Sequence, residues 1–297
     1  MGEIGNFGQP ACTAAFSQHP DPAVAVGEVV GGVLESLEAH PDLAVVLSSG
    51  PLTEHVNLIA DAVDKLLAPE AMIGSTAAAV FGGPHQVGAA GGLALWAARG
   101  ADLCPIRVTI DSDGRPAGLP DDLSPGSVAM ILGHQSFPID RLAAAAAERQ
   151  SPSIETGLVG LVGGLAGGRS TGPAPRLIEG DGDRVVVHSD GAVGVLIPAP
   201  MAQLLDFEVR VWEDGDPIPE PPVNPATGRG ALLFANRRAD LATGDSLDLE
   251  VVFERFAGTV AGMVGRAFSY SFATAPPCRT DPRTDLSEHS VAALVYG

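Results

Sequence analysis

Apolar residues along this chain fall into two patterns, a three-to-four spacing and short unbroken runs, and their alternation predicts an α/β protein. Val26, Val29, Val30, Val33, Leu34 and Leu37 share one helical face, which predicts a helix over 22–39. Asp21-Pro22 suits its first turn, since Asp caps free N–H groups and Pro needs none. The β-branched run LAVVLSS, 43–49, reads as a buried strand. A helix capped by Thr53 and Glu54 follows to Leu67, with Val56, Ile59, Val63 and Leu67 on its apolar face. MIGSTAAAVFGG (72–83) predicts a second strand, 87–99 a third, and IRVTID (106–111) a further one; residues 84–86 serve as a polar turn.

The same order recurs twice. SVAMILG (127–133) reads as a strand, 138–150 as an alanine-rich helix, and TGLVGLVGGLAGG (156–168) as a glycine-bearing strand. DRVVVHS and GAVGVLIPA predict a hairpin around Ser189-Asp190-Gly191. GALLFAN (230–236) opens a third unit, with a helix within 245–256 and a strand over 259–272; SVAALVYG ends the sequence. Leu43 to Met72, Val128 to Gly157 and Ala231 to Val260 each span 29 residues, the period of a repeat. The expected fold is therefore mixed α/β, with three quasi-repeated β-α-β-β units forming mixed sheets covered by helices. Unrelated segments of ordinary length would give a similar reading.

Composition narrows the functional classes. Hydrophobic residues are 45% and charged residues 18% of the 297, a globular balance. The 36 acids against 17 bases leave a formal charge of −19, which repels phosphate backbones, so neither nucleic acid nor an anionic membrane is an expected partner. No apolar run reaches about 18 residues. The first residues lack a basic n-region and apolar h-region, and the three cysteines form no CxxC, so a reducing, cytoplasmic setting is expected.

Glycine weakens a strand interior unless a backbone or ligand approaches closely, yet it recurs in IGSTAAAVFGG, LVGGLAGG and VAGMVGRAFSYS. These segments, with Gly92–Ala98, Ser136-Phe137-Pro138, the GAVGV run and Gly230–Asn236, resemble the FIST family of sensory domains. The resemblance covers most of the chain: a FIST N-like region over 1–125 and a shortened FIST C-like region over 126–297, separate or packed as one unit. Ser75 stands where the family often has Cys. Ala235-Asn236-Arg237-Arg238-Ala239 replaces its CNGRG, Gly262–Phe268 lacks its Glu, and its QGCRPIG segment is not recognisable. What the resemblance implies is non-catalytic binding of a small polar metabolite, amino-acid-like in the simplest case, with output through a separate signalling protein.

The candidate ligand contacts are Ser75 and Thr76, the backbone of Gly163 and Gly164, and the side chains of Asn236 and Arg238. An Arg beside a strand end can hold a carboxylate by paired hydrogen bonds, although surface salt-bridging is the plainer role. Gly163 and Gly164 lack the Lys-Ser/Thr of a phosphate loop, and close strand packing explains them as well. His134, just past a strand end, is a further loop candidate. Seven histidines in no ligand spacing imply no metal, and no cofactor motif appears. Cys12, Cys104 and Cys278 read as buried small hydrophobes. Two other readings remain: a FIST-like scaffold that binds only protein, and a hydrolase of cyclic amides. The second needs serine and lysine in each unit, and Lys65 is the only lysine.

Overall fold

The computed structural model describes residues 12–82, 85–87, 90–99, 103–120, 127–148, 160–166, 174–198, 208–212, 230–236, 259–271 and 291–296. β1 (Cys12–Ser17) leads to α1 (Pro22–Leu37), which Asp21 caps by accepting from the Ala23 N–H at 2.8 Å. β2 (Leu43–Ser49) is buried throughout and runs into a 3₁₀ turn, Gly50–His55. Thr53 Oγ1 donates to the Gly50 carbonyl inside that turn (2.7 Å), so Thr53 does not cap α2 (Val56–Leu67).

The single strand expected over 72–83 is two, β3 (Ala71–Ala77) and β4 (Ala79–Gly82), broken by a bend at Ala78. The supposed turn at 84–86 lies largely within a strand, β5 (His85–Val87), and β6 (Gly92–Ala98), β7 (Cys104–Ile110) and β8 (Pro116–Ala117) follow. Next come β9 (Val128–Gly133), α3 (Ile139–Glu148), β10 (Gly160–Leu165), β11 (Leu177–Gly180), β12 (Val185–His188) and β13 (Ala192–Ile197). The last described strands are β14 (Glu208–Trp212), β15 (Gly230–Asn236), β16 (Thr259–Ser271) and β17 (Val291–Tyr296). The helix expected within 245–256 lies outside the described residues.

These strands make a mixed α/β fold of two sheets. One has six strands in the order β1-β6-β2-β3-β11-β12. The other has eleven, along the path β14-β17-β15-β16-β10-β9-β13-β7-β8, with β4 on β16 and β5 on β4. The sheets face one another across a core of alternate residues from both, including Val45, Ile73, Trp96, Met130, Val195, Phe234 and Met263. On the outer face of the six-stranded sheet, α1 and α2 pack over Val46, Met72 and Leu95. On the outer face of the other, α3 packs over Val108, Ala129 and Ile131. Among the described residues the layers are thus helix, sheet, sheet, helix. Strands from both sides of residue 125 contribute to each sheet.

The predicted hairpin around Ser189-Asp190-Gly191 is not one. β12 pairs with β11 in the six-stranded sheet, whereas β13 pairs with β7 and β9 in the other. The Ser-Asp-Gly segment turns the chain, as its composition says, but carries it between sheets. Gly191 has φ +66, and Arg107 fixes the crossover by donating to the carbonyls of Asp190 (2.8 Å), Ala192 (2.9 Å) and Val108 (3.0 Å) and to the Asp190 carboxylate (2.6 Å). The true hairpin joins β11 to β12 through Asp181, whose Oδ1 accepts from the N–H groups of Asp183 and Arg184.

Among the described strands three pairs are parallel: β2 with β3, β9 with β10 and β15 with β16. Their first register partners, Leu43 with Ala71, Val128 with Gly160 and Gly230 with Thr259, are 28, 32 and 29 residues apart. At the fourth position of each second strand stands a glycine: Gly74, Gly163 and Gly262. Each is set directly opposite a large apolar residue of an antiparallel neighbour: Ile178, Phe268 and Phe81 respectively. A β-carbon on Gly74 would lie 2.5 Å from the Val46 carbonyl oxygen and 2.9 Å from Ile178 Cδ1; one on Gly262 would meet the Leu233 carbonyl and the Phe81 ring. At Gly74 and Gly262 the glycine is a slot that a neighbouring side chain fills.

Candidate functional site

The strand registers bring the carboxyl ends of the three parallel pairs to one place. β15 ends at Asn236, opposite Gly265 on one flank of β16. β4, on the other flank, begins at Ala79, opposite Val264, and β10 ends at Leu165, opposite Arg266. The ends of β15, β10 and β4 therefore fall together at residues 264–266 of β16. β3 ends at Ala77, one residue before the Ala78 bend, with Ser49 of β2 beside it in register. In sheets with parallel strands, the crevice outside the carboxyl ends is the usual place for a ligand.

Polar residues collect at this junction because they end otherwise apolar strands. Ser48 and Ser49 close β2, Ser75 and Thr76 stand just before the last residue of β3, and His134 follows β9. Ser75 and Thr76 are buried and point to opposite faces, since strand neighbours alternate. Ser75 Oγ donates to the Thr76 carbonyl at 2.8 Å, and Thr76 Oγ1 accepts the Arg176 N–H at 3.0 Å. The two hydroxyls thus stand in for ladder partners where the strand leaves its sheet. His134 is partly exposed, its Nδ1 2.8 Å from Ser136 Oγ and its N–H donating to the Gly191 carbonyl.

The other predicted contacts divide. Asn236 is set at the junction by register. Gly163 and Gly164 lie just upstream in β10, and a β-carbon on Gly164 would come within 3.2 Å of Met263 and Phe234, so neighbouring side chains of the same sheet fill the space before it. Arg238 lies outside the described residues. Ser48 and Arg176 were not singled out by the sequence reading; a serine pair ending an all-apolar strand is the signal that points to Ser48.

Burial pushes the Cys12 thiol well up, so it stays protonated. Cys104 corrects the expectation of a buried thiol, because it lies exposed at the start of β7; Cys278 lies outside the described residues. Among the described residues, no group of three His, Cys, Asp or Glu side chains could hold a metal ion, and no helix is long and apolar enough to cross a membrane. Comparison of the sequence with protein-family models and with curated proteins gives no match.

Proposed function

We propose that this protein binds a small polar metabolite without altering it, as a FIST-like sensory protein of the cytoplasm that passes its signal to a separate protein. The observation that carries this reading is the meeting of three parallel-pair carboxyl ends at Gly265. One ligand there would contact all three units at once. The hydroxyl of Ser75 is committed to the Thr76 carbonyl, which suits a structural or binding role better than nucleophilic attack. Amino-acid-like molecules are the first to try, because Asn, Ser and His side chains near strand ends offer both donors and acceptors.

The test is native mass spectrometry of the protein as purified, followed by thermal shift against amino acids and small organic acids. The reading expects a retained small molecule or a saturable shift, weakened roughly tenfold by Asn236→Ala, the loss of about one hydrogen-bonding side chain. One observation favours a second reading: Ser75 and Thr76 both satisfy backbone of their own chain, as in a scaffold that binds only protein. An empty protein that no metabolite shifts, yet that captures a protein partner, decides for the scaffold.

A further inference from the structure

Two adjacent strands, and the residue that leads into a third, set a row of polar residues beside the helix-facing side of the six-stranded sheet. Ser48 of β2 is in register with Thr76 of β3. The Thr76 N–H donates to the Arg176 carbonyl, and the Arg176 N–H to Thr76 Oγ1, both at 3.0 Å, so Arg176 extends the row beyond β3. Alternation from Val46 and Met72, which both pack under the helices, puts Ser48 and Thr76 on that face, and the two bonds to Thr76 set Arg176 beside it. Two strand spacings set the α-carbons of Ser48 and Arg176 about 10 Å apart, a gap that one small anion and a long guanidinium arm can bridge.

Each member has unused capacity. Ser48 is 1% exposed and its hydroxyl oxygen has no hydrogen-bond partner among the described residues, a state that costs free energy and calls for a reason. Thr76 Oγ1 accepts a bond and keeps its own proton to donate. Arg176 is partly exposed and has no ion-pair partner among the described residues, in a chain of net charge −19. The amino end of α2, where His55 gives no side-chain cap, follows the same end of β2 through the 3₁₀ turn and adds partial positive charge.

We propose that Ser48, Thr76 and Arg176 form an anion subsite that takes the carboxylate or phosphate group of a small metabolite. This deepens the ligand-binding reading above, on which it rests for the rest of the molecule, and gives that ligand its charge. Ser48 and Thr76 donate their hydroxyl hydrogens to the anion, and the Arg176 guanidinium supplies paired N–H donors.

The experiment titrates inorganic phosphate and, separately, succinate into the full chain, read by calorimetry and thermal shift. Saturable binding of either is expected, with phosphate against succinate separating tetrahedral from planar anions. Arg176→Gln should weaken it about tenfold or more, Arg176→Lys less, and Arg115→Gln, far along the chain, not at all. Ser48→Ala gives a readout that survives any folding defect in the arginine variants. It should weaken binding yet raise the Tm of the unliganded protein by about 2–4 °C, because it removes a buried hydroxyl with no partner. No saturable binding of either anion, binding indifferent to Arg176→Gln, or a lowered Tm in Ser48→Ala overturns the subsite. If mass spectrometry still finds an uncharged metabolite, the subsite falls and the sensory reading stands; if neither metabolite nor anion binds, both fall.

Discussion

Glycine does opposite things in different parts of this molecule. Gly262 sits where a β-carbon would strike the Leu233 carbonyl and the Phe81 ring, and carbonyl oxygens do not yield as flexible side-chain ends do. Gly262→Ala is therefore expected to cost about 1–3 kcal/mol by overpacking. Gly27 lies in α1 with nothing within 4 Å of its would-be β-carbon, so Gly27→Ala should stabilise by about 0.5–1 kcal/mol through helix propensity. Urea unfolding of both variants checks the contrast. Charge supplies a second residue-scale prediction. Partial burial, then Asp61, with Asp181 a smaller contribution, hold the Asp64 carboxyl above its ordinary pKa, against the pull of Lys65. A raised folded-state pKa means that protonation favours folding: this contribution is full below the unfolded value of about 3.9 and is lost as pH rises through the higher folded value. Asp64→Asn should accordingly stabilise the protein at neutral pH, and the gain should vanish below about pH 4, as denaturation midpoints across pH would show.

At the scale of elements, Arg107 holds a crossover that no local signal reveals. Its guanidinium makes four hydrogen bonds: to the carbonyls of Asp190 and Ala192 on either side of Gly191, to the Asp190 carboxylate, and to the Val108 carbonyl of its own strand. Arg107→Ala should cost about 2–3 kcal/mol, with Arg107→Lys recovering part of it, measured by chemical denaturation. The same crossover shows where the sequence stops being legible. The helices and long strands were readable because their apolar runs are long and their periods distinct, as in Val26 to Leu37. Sheet membership was not readable. Strands such as β3 and β13 are buried on both faces whichever sheet they join, so both read as unbroken apolar runs. Ser-Asp-Gly says that the chain turns; it does not say which neighbour comes next. The break at Ala78 was hidden for a related reason, since three alanines in a row carry neither a turn residue nor a change of polarity. Of the site, Ser75 and Thr76 were visible as polar residues in an apolar strand, whereas Arg176 becomes meaningful only once β11 is known to lie beside β3.

For the whole molecule, the chain passes repeatedly between its two sheets, at β3 to β4, β5 to β6, β6 to β7, β10 to β11 and β12 to β13. Neither sheet can form from one stretch of sequence, so unfolding is expected in one cooperative step. Trp96 lies in the six-stranded sheet and Trp212 in the other, which permits a direct check. Single-tryptophan variants should report the same denaturation midpoint by fluorescence, and far-UV dichroism should agree; separate midpoints would show two independent units. The glycine slots carry a consequence for descent. The residue facing each slot comes from outside its own parallel pair: Ile178 for Gly74 and Phe81 of β4 for Gly262. A single pair expressed alone would show its open slot to other copies of itself and associate with them. Among diverged sequences, bulk gained at 74 or 262 should be matched by bulk lost at 178 or 81, a covariation that would mark these pairs without any structure in hand.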